Sequence, residues 1–177
     1  MDVLTAIKNR KSIRAFVDKQ VSLQSIDDLL DTARWAPSGA NTQPWQVAVT
    51  TGETKTTLCL ALADAFQSNN PSNADYKYYA SPVEEPFRSR QRSCGAALYE
   101  ALGISRQDKE QRRTQWLKNY FGFNAPVILF IFIDENLEKG SWVDMGMFIQ
   151  NIMLAARGHG LESCPQAALA EYPDIVR

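Results

Sequence analysis

The chain has 177 residues, 45% hydrophobic and 22% charged, the size and composition of one ordinary globular domain with a core of its own. A formal net charge of -1 excludes a global field that would draw it to nucleic acid or an anionic membrane. Cys59, Cys94 and Cys164 have no metal-ligand spacing, which excludes a disulfide framework and fits a reducing compartment.

The N-terminus carries charges where a secretory signal needs an apolar run, so a cytoplasmic protein is expected. Asp2 to Arg10 reads as a short helix with Val3, Leu4 and Ile7 on one side. It runs into Arg10-Lys11-Ser12-Ile13-Arg14. Cations at a helix C-terminus complement its dipole; three of them beside a hydroxyl also make a phosphate clamp. The local pattern leaves both readings open.

Ser22 to Ala36 is an amphipathic helix, with Leu23, Ile26, Leu29, Leu30 and Ala33 at three-and-four spacing, stopped by Pro37. Pro37 to Pro44 is a loop of small residues whose backbone can approach a ligand closely. Trp45 to Thr51 alternates and is rich in valine, the pattern of a strand. A turn at Gly52 leads to a helix from Lys55 to Gln67. Asn69 to Pro86, polar and aromatic, is long for a connection and suggests a lid, a binding loop or a surface excursion.

Ser89 to Leu102 and Arg106 to Asn119 read as two helices broken at Gly103. Their arginines alternate with acidic residues, which describes a solvated, salt-bridged face and not a nucleic-acid footprint. Val127 to Ile133 is apolar throughout, as in a central strand covered on both faces. Gly140 to Arg157 then predicts a helix, with Ser141 placed to cap it and Asp144 complementing its dipole. From Met145 to Ala156 it has no charge. A helix apolar all round and too short to span a bilayer belongs in a domain core, a subunit interface, or both. A short strand near Leu161 to Cys164 and the start of a helix around Pro173 complete the chain. The sheet is thin, which raises the expectation of a missing C-terminal part or of a strand supplied from elsewhere.

His159 is the one histidine and sits between glycines, a turn residue and not a general base. No nucleophile elbow, metal-ligand cluster, dinucleotide fingerprint or P-loop appears. Redox chemistry would therefore need a bound cofactor.

Arg10-Lys11-Ser12-Ile13-Arg14 and Ala36 to Trp45 resemble the two N-terminal signatures of the nitroreductase family of flavin enzymes. The apolar helix followed by Gly160 to Ala168 resembles that family's central helix and third flavin segment. The resemblance implies an α+β fold, a nitroreductase-like three-layer arrangement of a mixed, mostly antiparallel sheet flanked by helices. The central helix would lie at the interface of a homodimer with two FMN sites. Arg10, Lys11, Ser12 and Arg14 would hold phosphate and ribityl oxygens. Ser38, Gly39 and Asn41 would approach the flavin from the partner chain, and Pro165, Gln166 and Ala167 would line its ring. The flavin carries the chemistry, with no catalytic side chain and no metal. NAD(P)H would reduce FMN and then give way, in ping-pong order, to a small-molecule acceptor, nitroaromatic or quinone-like. Lys11 stands where arginine is commoner in the family. Family members also continue beyond Arg177, so an impaired, dimeric flavin binder is the alternative reading. A membrane or nucleic-acid partner is not expected.

Overall fold

A short carboxylate starts the first helix. Asp2 accepts hydrogen bonds from the Thr5 backbone N–H at 3.0 Å and its hydroxyl at 2.6 Å, capping α1 (Val3–Asn9). The computed structural model describes residues 2–177. It comprises two units: residues up to Lys55 with Asn124–Pro165, and Thr56–Phe123 with Gln166–Arg177.

In the first unit, Ser22 caps α2 (Leu23–Ala33) by accepting the Ser25 N–H at 3.1 Å. Ile26, Leu29 and Ala33 are buried, whereas Leu23 is 70% exposed. The helix ends three residues short of the expected Ala36. The Trp35 and Ala36 N–H groups instead close tight turns onto Thr32 and Ala33, because the residue before Pro37 is pushed out of helical geometry.

Strand β1 (Gln46–Thr51) pairs antiparallel with β2 (Val127–Phe132), Gln46 facing Phe132 and Thr51 facing Val127. The buried Thr50 hydroxyl donates to the Ile128 carbonyl at 3.2 Å, so it is not left unpaired. Leu129 and Ile131 turn to one side of β2 and pack on the core; Ile128 and Phe130 are buried on the other. Both faces of β2 are thus covered, as its apolar run requires. Among the described residues, however, it pairs along one edge only and is not a central strand. The short strand expected near Leu161 reduces to one parallel bridge, Ser12 with Ser163.

The core of this unit joins Leu29, Ala33 and Ala36 to Phe148, Ile152 and Ala156 of α6 (Lys139–Gly158). Trp45 stacks on Phe148, ring centres 4.6 Å apart and planes 3° from parallel. The start of α6 differs from expectation. Glu138 occupies the cap position without a capping side-chain bond, so Ser141 lies inside the helix. Burial also follows one stripe, Asp144, Met145, Phe148, Ile152 and Ala156, while Val143 is 65% exposed. The sequence is apolar all round, but this chain covers one side.

In the second unit, α3 (Gly52–Gln67) buries Cys59, Leu62, Ala63 and Ala65. Phe66 tilts against Tyr120 at 4.9 Å, and Tyr120 against Tyr172 at 5.8 Å. The Tyr120 hydroxyl, buried, donates to the Glu171 carboxylate at 2.6 Å; burial first and this bond second raise its pKa well above the usual 10.0. Helices α4 (Phe87–Ala101), α5 (Lys109–Leu117) and α7 (Pro173–Val176) complete the unit. Three of its arginines are engaged within the chain. Arg88 pairs with Glu85 at 2.8 Å, Arg112 lies over the Tyr99 ring at 4.1 Å, and Arg113 donates to the Phe66 and Gln67 carbonyls. Residues 70–85 form no helix or strand. The N-terminal end of that stretch is tied down: Asn73 N–H and the Ser72 hydroxyl donate to the Glu171 carbonyl, and Asp75 pairs with Arg177 at 2.5 Å.

Candidate cofactor site

The Ser12–Ser163 bridge is what gathers the cationic corner. The Ile13 N–H donates to the Ser163 carbonyl at 3.1 Å, laying Arg10–Arg14 alongside the segment that leads to Pro165. Arg14 is close enough to Cys164 to pull its thiol pKa down, but burial is the larger effect and leaves it raised. The thiol therefore stays neutral and does not compete for the cations.

None of the three cations has a carboxylate partner among the described residues. Arg10, half-buried beyond the end of α1, has its Nη1 4.0 Å from the Met153 sulfur. Lys11 is exposed, and the Arg14 Nη1 donates to the Ser12 carbonyl at 3.5 Å. Three uncompensated positive charges and the Ser12 hydroxyl suit a phosphate monoester, which needs charge and several donors together. The residues present fit the phosphate end of FMN.

The second predicted patch is a strained loop. Ala40, Asn41 and Gln43 have φ of 48°, 56° and 48°, the left-handed region, at a cost of order 1–3 kcal/mol each. Local bonds compensate: Ser38 Oγ accepts the Gln43 N–H at 2.9 Å, and the Thr42 N–H donates to the Gly39 carbonyl at 3.1 Å. The Gly39 N–H donates to Asp144 Oδ2 at 3.1 Å. Asp144, expected to serve the helix dipole, is instead buried against this loop. Sequence reading missed this role; the signal available was a lone carboxylate opening an otherwise uncharged stretch.

The two patches meet α6 at different heights. Arg10 touches Met153 and Gly39 touches Asp144, nine residues apart, roughly 14 Å along a helix axis. The third patch falls where the chain passes from the first unit to the second. Pro165 ends the first and is exposed, while Gln166 and Ala167, half-buried, belong to the second. There Gln166 Nε2 donates to both the Asn119 carbonyl and its side-chain oxygen, each at 3.1 Å. Asn119, another residue the sequence did not single out, thus fixes the Gln166 side chain.

The profile of the nitroreductase family matches residues 7–177. The chain belongs to the nitroreductase family. It is 38% identical to the nitrobenzene nitroreductase of Ectopseudomonas oleovorans, over 97% of this chain and 76% of the relative. It is 36% identical to the 4-nitrobenzoate reductase of Pseudomonas putida, over 99% and 77%. Among solved structures, the FMN and NADPH-dependent nitroreductase NfnB from Sphigopyxis sp. strain HMH superposes with a TM-score of 0.97 at 39% identity, covering all of this chain and 80% of that one. NfnB from Mycobacterium smegmatis, solved with NADPH, gives 0.94 at 33% identity over 98% and 78%. The α+β nitroreductase fold expected from the sequence is therefore established. No described helix is long and apolar enough to cross a membrane, and no described group of three or more His, Cys, Asp or Glu side chains could hold a metal ion.

Proposed function

We propose that this member of the nitroreductase family is an FMN-dependent NAD(P)H oxidoreductase that reduces nitroaromatic and quinone-like acceptors. The observation that carries the reading is the Ser12–Ser163 pairing, which sets three unpaired cations beside the run into Pro165. Relatives named for nitrobenzene and 4-nitrobenzoate reduction supply the acceptor class. Those named for FMN and NADPH supply the cofactor and donor.

Arg10, Lys11, Ser12 and Arg14 would hold the phosphate and ribityl oxygens, and Pro165, Gln166 and Ala167 would line the ring. When bound, FMN supplies the two-electron chemistry between NAD(P)H and the acceptor. The chain's own work is binding and orientation: charge neutralises the phosphate, and the Asn119–Gln166 bonds hold one lining side chain in place. Ser38, Gly39 and Asn41 serve a site completed by a second copy, since their loop meets α6 roughly 14 Å from the cationic corner of the same chain. The exposed apolar side chains of the first unit support that homodimer, Trp35 at 79% and Leu23 at 70% among them. Donor and acceptor would use one pocket in turn, a ping-pong order.

The test is to isolate the protein, add FMN and record its spectrum. A yellow protein absorbing at roughly 450 nm, bleached by NADPH and recoloured by 4-nitrobenzoate, is expected. A colourless protein that refuses FMN counts against the reading. A yellow dimer without turnover leaves binding and removes catalysis.

A further inference from the structure

We propose that Asp144 is the positioning residue of the Ser38–Asn41 loop, holding it in the conformation that meets the flavin; this rests on the FMN reading above and deepens it. Asp144 is buried at 8% exposure and is the sixth residue of α6, beyond the first turn where a helix dipole rewards negative charge. A buried carboxylate is retained against its desolvation cost only where something needs it. Here it accepts the Gly39 N–H at 3.1 Å, across 105 residues of sequence.

The other hydrogen bonds of the loop are internal. Asn41 N–H to the Ser38 carbonyl, Thr42 N–H to the Gly39 carbonyl and Gln43 N–H to Ser38 Oγ shape the turn but fasten it to nothing else. Among the described residues, the Gly39–Asp144 bond is the one that ties the loop to another element. The backbone at Ala40, Asn41 and Gln43 is strained, so a turn released from its anchor relaxes toward ordinary dihedrals. A carboxylate makes a stronger acceptor for that N–H than a neutral group does. It also presents no donor needing a partner of its own. A Cβ added at Gly39 would sit 3.8 Å from Asp144 Oδ2, so ordinary contact, not a clash, separates the two.

The experiment compares FMN-loaded wild type with Asp144→Ala, Asp144→Asn and Ile152→Val. Ile152→Val perturbs the buried stripe of the same helix without touching the loop. FMN dissociation constants come from flavin fluorescence titration, the Gly39 amide resonance from ¹⁵N-labelled protein, and unfolding temperatures from calorimetry. Asp144→Ala is expected to weaken FMN about tenfold and to move the Gly39 amide. Asp144→Asn, which keeps an oxygen acceptor, should recover most of the affinity. Ile152→Val should lower the unfolding temperature with FMN affinity unchanged. A folded Asp144→Ala protein that binds FMN like wild type overturns the inference. So does an Ile152→Val protein that loses as much affinity, because general destabilisation then explains the effect. If the alanine variant does not fold, Asp144→Ser withdraws the acceptor from reach and gives the same comparison. Failure of the cofactor reading shows separately, as wild-type protein that takes no FMN.

Discussion

At the scale of single residues, the cationic corner follows from charge left without a partner. Two surface arginines elsewhere in this chain have carboxylate partners: Arg34 pairs with Asp31 and Arg88 with Glu85. Arg10 and Arg14 have a sulfur and a carbonyl instead. Replacing both by alanine is expected to weaken FMN binding by about 2–5 kcal/mol in total, read as flavin lost during gel filtration and a raised dissociation constant. FMN retained as in wild type would remove both residues from the site. This corner was legible in the sequence because five adjacent residues carry it. Asp144 and Asn119 were not. Their partners, Gly39 and Gln166, lie 105 and 47 positions away, and no local pattern announces a bond of that span.

At the scale of elements, periodicity located the helices and strands, and tertiary packing set their ends. The apolar spacing of α2 was right for Ile26, Leu29 and Ala33, whereas Leu23, equally in phase, faces outward. In β2 the continuous apolar run foretold two covered faces but carried no information about edges. Helix α6 shows the same distinction. Its composition suits burial all round, yet its core contact is one stripe centred on Phe148. Phe148 is 2% exposed and stacked on Trp45, so Phe148→Ala removes a filled volume and a ring contact at once. The expected cost is about 3–5 kcal/mol of stability, measurable by urea denaturation. A loss under about 1 kcal/mol would show that the site collapses around the missing ring and that the stack contributes little.

For the whole molecule, the expectation concerns number. Val3, Leu4 and Ile7 on α1, Trp35 beyond α2 and Val143 on α6 are all at least half exposed. So much apolar surface on one unit exceeds what a solitary soluble chain usually shows. Sedimentation equilibrium should give a dimer at micromolar concentration, with one FMN per chain after reconstitution; a monomer carrying a full complement of FMN would rule out the shared site. The division into two units had no counterpart in the sequence pattern. The first passage from one to the other falls at Lys55–Thr56, inside α3, where the helix runs on from Gly52 to Gln67 without a break.

The first unit is interrupted: the chain leaves it after Lys55 and re-enters at Asn124, so β1 finds β2 only across everything encoded in between. The entropy of closing such a gap rises with the logarithm of its length, and doubling the gap adds only about 0.6 kcal/mol. The strand pair is therefore nearly indifferent to how much polypeptide is spliced into the interval. Residues 70–85 form no helix or strand, so a change of length between Asp75 and Glu85 is expected to leave the β1–β2 pairing intact.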